Sequence, residues 1–376
     1  MRNEYILRFN SRFLLVLLCC LILIPIAGAQ QRRVDPWWIT LEEGKRYFRT
    51  GAYGKALIYF EDARESRKNY YAKMERDLVT VLSLHAVRRL RDDLGLLEEY
   101  IEKEFRVDAS AALKELYYRV PKTRLNNSSN TALAELSRLK GYPEAEYWLG
   151  EIYRMEGEFN IALSQYQKAY EQRALLENSE FGREILYRMA DLRQLRREYT
   201  EMAKILEDIL KSDNLWSRES FTRSNMLRSL ETNGVNRFLV LFRHDEPYVE
   251  KAHRTMGFYY YTNGRHERAV ENLLFAFLIQ NSIIIDTLLQ SQYNYTFTSL
   301  SALMNDIAKR RDILAFLEET EYFKTLYYLA NSLYGVNRRN AARELWSFLR
   351  DNANGEWRGR ALSQLNNPLL DQIPER

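Results

Sequence analysis

The sequence is poor in proline, glycine and cysteine, with 7, 15 and 2 of these residues among 376. A β-sandwich or β-barrel needs a turn every few residues, and proline and glycine supply most of those turns. Their scarcity disfavours both architectures. Leucine, alanine, glutamate, arginine and tyrosine are abundant instead, which favours long helices.

An excess of charge of one sign is also missing. The formal net charge is +4, and half of it comes from the first 29 residues, which contain Arg2, Arg8, Arg12 and Glu4. Short basic clusters such as Arg88-Arg89 are followed by acids such as Asp92-Asp93. A nucleic-acid-binding protein usually concentrates basic residues on one face, so we exclude nucleic acid as a partner.

The first 29 residues have the pattern of a secretory signal peptide. The arginines precede an apolar run at residues 13–24, and the small residues Ala27 and Ala29 follow it. The run is shorter than the roughly 20 residues that span a membrane. We therefore predict cleavage after residue 29, with Gln30 as the mature N-terminus. The mature protein is expected in the periplasm of a bacterial envelope, with a secreted or surface-associated location as the alternative.

Both cysteines, Cys19 and Cys20, lie inside the predicted signal peptide. Leu18 stands where a lipoprotein signal needs a small residue, so we do not expect a lipid anchor. The mature chain would have no thiol in a potentially oxidising compartment. Packing alone must then stabilise the fold.

A pattern of small and aromatic residues occurs three times, at intervals of roughly three units of about 35 residues. It reads Gly-x2-Tyr-x3-Gly-x4-Ala-x3-Z, where Z is a large apolar or aromatic residue. Glycine in a first helix and alanine in a second let two backbones approach closely. The signature positions are Gly44, Tyr47, Ala56 and Phe60; Leu149, Gly150, Tyr153, Ala162 and Tyr166; and Gly257, Tyr260 and Ala269.

This pattern resembles the tetratricopeptide repeat (TPR), in which each unit is a helical hairpin. The resemblance implies an all-α, TPR-like α-solenoid of about nine hairpins in a right-handed superhelix. Another α-solenoid class, such as HEAT or Sel1-like repeats, is the alternative. We expect N-terminal repeats at 30–140, central repeats at 141–213, and C-terminal repeats with a capping helix at 214–376.

Further expectations concern the ends of the helices. A second glycine in each strong unit, at 51, 157 and 264, should close the first helix in a left-handed conformation. Weaker units are expected near 186–209 and 326–349, and irregular helical pairs at about 70–107, 109–140, 217–247 and 290–320. Residues 121–130 and 282–295 should be connections. The capping helix around Trp357 should turn Leu362 inward and Gln364 outward.

Residue patterns for catalysis are missing. The four histidines lack metal-site spacing, and no nucleotide-binding glycine motif or nucleophile elbow is present. Ser137 and Lys140 match an S-x-x-K motif without its companion motifs. We predict that the protein is not an enzyme and has no cofactor, metal site or small-molecule substrate. A cell-wall hydrolase that uses a carboxylate pair such as Glu98-Glu99 stays as a second alternative.

The TPR resemblance implies a concave groove lined by fixed positions of each first helix. The groove would bind one or more envelope proteins through an extended or helical segment with apolar anchors and some acidic residues. Aromatic residues and arginine are typical of interface hot spots, although tyrosine could instead be a general filler of the solenoid. The candidate groove residues are Trp38, Phe48, Tyr147, Arg154, Lys251, Arg254, Phe258, Tyr261, Lys324, Tyr327 and Tyr334.

The sequence therefore predicts a protein-interaction scaffold that serves outer-membrane assembly, a peptidoglycan-linked complex or a periplasmic flagellar collar. A secreted or surface-displayed adhesin is the alternative function. Peripheral association with a membrane stays open.

Overall fold

A computed structural model describes residues 36–84, 129–212, 220–244 and 246–373. Every regular element within these ranges is a helix, so the all-α prediction is confirmed and the architecture is compatible with an α-solenoid. The predicted signal peptide, the part of the helical pair at 70–107 that follows residue 84, most of the pair at 109–140 and most of the loop at 121–130 lie outside them. The chain forms two compact units, Met1–Ser179 and Glu180–Arg376.

In the part of the first unit that the structure describes, there are two helical hairpins and one further helix. Its helices are α1 (Trp37–Arg49), α2 (Tyr53–Leu84), α3 (Ser129–Arg138), α4 (Pro143–Met155) and α5 (Phe159–Glu171). Helices α1 and α2 form one hairpin, α4 and α5 form the other, and α2 packs against α3 and α4.

Helix α2 corrects the prediction that a new helical pair begins near residue 70, because it continues for 32 residues. Its buried residues recur every three or four positions from Phe60 to Leu78, and all of them except Arg67 are apolar. This spacing gives one buried helix face, and no glycine or proline stands between residues 55 and 84 to stop the helix.

The described residues of the second unit form three hairpins and additional helices. Its helices are α6 (Phe181–Leu195), α7 (Tyr199–Leu210), α8 (Ser220–Leu241), α9 (Glu250–Thr262), α10 (His266–Ser291), α11 (Leu300–Ile307), α12 (Arg311–Glu319), α13 (Tyr322–Gly335), α14 (Arg339–Asn352) and α15 (Gly355–Asn366). The hairpins are α6/α7, α9/α10 and α13/α14, and α10 packs against α13. The two weaker predicted units correspond to α6/α7 and α13/α14.

Helix α10 corrects a second expectation, since residues 282–291 continue the helix instead of forming a connection. Ile284, Ile285 and Leu288 are buried along this extension, and their burial outweighs the weak helix preference of isoleucine. Among the described helices, α10 is the one long and apolar enough to cross a membrane by length and composition. Most of that apolar stretch is buried inside the unit.

The signature glycines lie where two helices come closest. A Cβ atom added at Gly44 would lie 2.5 Å from Cε1 of Phe60, and one at Gly150 would lie 2.6 Å from Cε1 of Tyr166. At Gly257 it would lie 2.5 Å from Cδ2 of Leu273. Real Cβ contacts do not occur at such distances, so the predicted close approach of paired helices is confirmed in all three strong units.

The same turn closes the first helix of each of the five hairpins that lie within the described ranges. The predicted left-handed glycines are confirmed, with φ of 76° at Gly51, 82° at Gly157 and 69° at Gly264. The weaker units place Arg197 (φ 60°) and Asn337 (φ 64°) at this position. The backbone conformation therefore repeats even where the glycine does not.

The capping helix α15 is present, but its inner and outer faces differ from the prediction. Gln364 is 1% exposed, whereas Leu362 is 41% exposed. The buried amide has polar partners on neighbouring elements, described below, and these compensate for its removal from water.

Candidate protein-binding surface

Two predicted groove residues from α9 and two from α13 come together in the second unit. The Phe258 and Tyr261 rings each meet the ring of Tyr328 edge to face, at centroid distances of 5.8 and 4.9 Å. Tyr327 packs at 5.2 Å against the same ring. Lys324 lies 4.7 Å above the Phe258 ring.

This aromatic cluster is covered by the end of the chain, which corrects the expectation of an open face. Tyr261 is 5% exposed and Tyr327 is fully buried. The covering element is the C-terminal segment (residues 367–373), which follows α15 and has no regular secondary structure. The part of the predicted binding surface formed by Tyr261 and Tyr327 is therefore occupied by the protein's own chain.

Three phenol groups donate hydrogen bonds to this segment. Tyr261 Oη donates to the main-chain oxygen of Asp371 at 2.5 Å, and Tyr328 Oη donates to that of Gln372 at 3.1 Å. Tyr327 Oη donates to the Asp371 carboxylate. The three tyrosines thus recognise two carbonyl groups and one carboxylate.

Helix α15 completes the site. Gln364 Nε2 donates to Tyr327 Oη at 2.9 Å, and Gln364 Oε1 accepts from the Leu369 amide at 2.9 Å. Arg360 Nη1 lies 3.8 Å from the Asp371 carboxylate. We call Tyr261, Tyr327, Tyr328, Arg360 and Gln364 the tyrosine face.

Two residues behind the tyrosine face orient it. Asn331 Nδ2 lies 3.5 Å from Tyr261 Oη, and Asn331 Oδ1 accepts from Trp346 Nε1 at 3.0 Å. Because the Trp346 indole can only donate, the Asn331 oxygen must face Trp346 and the Asn331 nitrogen must face Tyr261. Tyr261 is then left with its own proton to donate to the C-terminal segment.

The phenols keep their protons well above neutral pH. Burial raises the pKa of Tyr261 to about 12. Burial also raises the pKa of Tyr327 to about 12, helped by its hydrogen bond to Asp371. The pKa of Tyr328 is raised by burial as well. All three groups are therefore hydrogen-bond donors under physiological conditions.

The predicted cations of this region are already paired with acidic side chains. Arg254 Nη1 lies 2.9 Å from Glu321, and Lys324 Nζ lies 3.0 Å from the same carboxylate. Lys251 Nζ lies 2.8 Å from Asp191. These cations do not form an uncompensated basic patch.

Arg254 has a second partner in Glu250, at 2.9 Å from Nε. Glu250 is 5% exposed, and burial raises the pKa of its carboxyl group. Gln280 Nε2 donates to Glu250 at 2.7 Å and to the carbonyl of Thr320 at 3.0 Å. The network ties α9, α10 and α13 together and has a structural role beside the tyrosine face.

Tyr334 does not join this cluster, although it is on α13. It packs against Trp346 at 5.7 Å and belongs to the contact between α13 and α14. Its predicted place in the groove is therefore not supported by its contacts.

The predicted groove residues of the first unit have separate surroundings. Trp38 is half exposed and meets the edge of Trp37 at 4.8 Å. Phe48 packs at 5.3 Å against Trp148. Tyr147 is 4% exposed, which corrects its assignment to an open face, because its ring packs into the α4/α5 hairpin. Arg154 forms an ion pair of 2.8 Å with Glu151 of its own helix.

Sequence reasoning missed Tyr328, Arg360, Gln364 and Asp371. Tyr328 directly follows the predicted groove residue Tyr327, and this pair of adjacent tyrosines is the signal that could have indicated it. Asp371 lies beyond the last repeat, where periodicity carries no information. Within the described residues no three His, Cys, Asp or Glu side chains cluster as metal ligands.

No family model matches the chain. It is similar to an uncharacterized protein of Treponema pallidum (strain Nichols), with 26% identity over 319 residues that cover 84% of this chain and 85% of the relative. It is also similar to an uncharacterized protein of Borreliella burgdorferi, with 23% identity over 254 residues, or 61% of this chain and 78% of the relative.

Proposed function

We propose that the protein is an exported, non-catalytic interaction scaffold of the TPR type that acts in the periplasm of a bacterial envelope. It would serve an assembly such as the outer-membrane assembly machinery, a peptidoglycan-linked complex or a periplasmic flagellar collar. Export is supported by the signal-like pattern of residues 1–29.

The hairpins support the TPR-type part of this proposal. Three of them have a glycine at the closest approach of two helices, and all five close the first helix with a left-handed residue. A small residue opposite a large aromatic or aliphatic residue is how the TPR signature packs one hairpin. Arrays of such hairpins are typical of protein-interaction surfaces.

The binding role depends mainly on one observation, which is the C-terminal segment held on the tyrosine face. Tyr261 and Tyr328 donate to main-chain carbonyls of that segment, and Tyr327 donates to its aspartate. This face therefore has donors placed for an extended polypeptide. A scaffold needs such a surface, whereas a purely structural hairpin stack does not.

The proposal is tested by recovering the tagged protein from fractionated cells after cross-linking. We expect it in the envelope fraction, with Gln30 at its N-terminus and with at least one cross-linked partner protein identified by mass spectrometry. Tyr293→Phe, a change at a side chain that is 95% exposed, should leave partner recovery unchanged. A cytoplasmic protein that retains Met1, or a protein recovered without partners, would refute the proposal.

A further inference from the structure

We propose that the tyrosine face is a docking site for an extended partner segment with a single aspartate, and that the C-terminal segment occupies this site as an exchangeable internal ligand. The inference depends on the proposed function, because it assumes that the protein binds a partner. It adds the chemistry of the bound segment and a competitor inside the chain.

The contacts of the C-terminal segment are ones that another segment could make. Two of the three phenols bind main-chain oxygens, which every extended polypeptide offers, and Gln364 accepts from a main-chain amide. The one side chain that these groups recognise is Asp371, through Tyr327 and Arg360. Recognition therefore requires an extended backbone and one carboxylate.

The segment is also held in a way that permits exchange. Leu369 and Leu370 remain 50% and 45% exposed, so apolar burial of these side chains contributes little to its attachment. Hydrogen bonds exchange readily because water can replace each partner when the segment leaves. A partner segment with similar polar groups can therefore compete for the same donors.

The charges on the site limit the partner to one acidic group. Lys324 and Arg254 already pair with Glu321. Arg360 remains near Asp371, and it also pairs with Glu356 at 2.8 Å. A polyacidic tract would meet Glu356, which shares Arg360 with Asp371, and like charges close together are unfavourable. A single aspartate between uncharged residues fits better.

The test uses the purified full-length chain and a fluorescent peptide with the sequence of residues 366–373. Wild-type protein should bind the peptide weakly, because its own segment occupies the site and reduces the binding-competent fraction. Asp371→Ala in the protein weakens the internal ligand, so the peptide should bind at least about fivefold more tightly. Asp351→Ala, the same change at an exposed aspartate of α14, should leave the affinity at the wild-type value.

Two further measurements test whether the gain in peptide affinity depends on the phenol groups and on the aspartate of the peptide. Adding Tyr261→Phe and Tyr327→Phe to the Asp371→Ala protein should remove the gain, because the phenol donors are lost while the rings stay. A peptide with asparagine in place of its aspartate should not bind tightly to the Asp371→Ala protein. Circular dichroism checks that each variant keeps its helical content.

The inference is overturned if the Asp371→Ala protein is folded and binds the peptide no more tightly than wild type. It is also overturned if the phenylalanine changes leave the gain intact. Either result can occur while cross-linking still recovers an envelope partner, and the scaffold proposal would then stand. Recovery without any partner would refute the scaffold proposal, even if the peptide exchanges with the C-terminal segment.

Discussion

Gly150→Leu should destabilise the protein strongly, because the contact between α4 and α5 has no room for a side chain. The Cβ atom alone would lie 2.6 Å from Cε1 and 2.7 Å from Cδ1 of Tyr166. Tyr166 is fully buried and donates a hydrogen bond to Glu151. Its ring cannot move aside without breaking that bond.

The expected size of the effect combines two opposing contributions. Overpacking a well-packed core typically costs 1–3 kcal/mol, and four added carbon atoms at this distance should reach about 3 kcal/mol. Replacing glycine inside a helix returns about 1 kcal/mol. The free energy of unfolding should therefore fall by about 2 kcal/mol.

Gly359→Leu is the matched control. Gly359 lies inside α15, and a Cβ atom there would meet nothing within 4 Å. Only the helix-propensity contribution remains, so the free energy of unfolding should rise by about 0.5–1 kcal/mol. The same substitution should thus have opposite effects at the two glycines.

Denaturant unfolding followed by circular dichroism measures both changes. Adding Tyr166→Ala to the Gly150→Leu protein should show a coupling of about 1–2 kcal/mol, because the new leucine can use the space of the missing ring. Additive effects, or a Gly150→Leu protein as stable as wild type, would show that this glycine does not set the distance between the helices.

Arg197→Gly should raise the free energy of unfolding by about 0.5–1 kcal/mol in denaturant titration, because glycine adopts a positive φ without strain; a loss would refute the strain argument. Arg254→Met should cost about 3 kcal/mol, since it leaves Glu250 buried without a cation, whereas Glu250→Gln should cost less than about 1 kcal/mol; equal losses would contradict this account. Raising the pH from about 10, where unfolded tyrosine ionises, to about 12 should release the C-terminal segment. The folded-state pKa values of Tyr261 and Tyr327 are raised, so their stabilising contribution is complete below about pH 10 and is lost as the pH rises through about 12. Phenolate absorbance and the fluorescence of a label near the C-terminus should change together, and Tyr327→Phe should make both changes smaller.

Local repetition made parts of the fold predictable. Gly150 and Tyr166 are separated by a fixed distance along the chain, so the contact between them is a property of one hairpin. The left-handed conformation of Gly157 follows from the same local pattern. Helix ends were predicted less well, because α2 and α10 continue where no residue stops them and where burial in the tertiary structure favours continuation.

The sequence by itself determined the all-α class, the hairpin closures and the positions of the closest helix contacts, because each depends on residues within about 35 positions of one another. Only the tertiary structure decided which tyrosines remain open to a partner. The segment that covers Tyr261 is about a hundred residues away in the chain, and Asp371 reaches it through hydrogen bonds that no periodicity encodes. The same holds for Glu321, which precedes α13 and pairs with Arg254 of α9, a cation that looked available in the sequence.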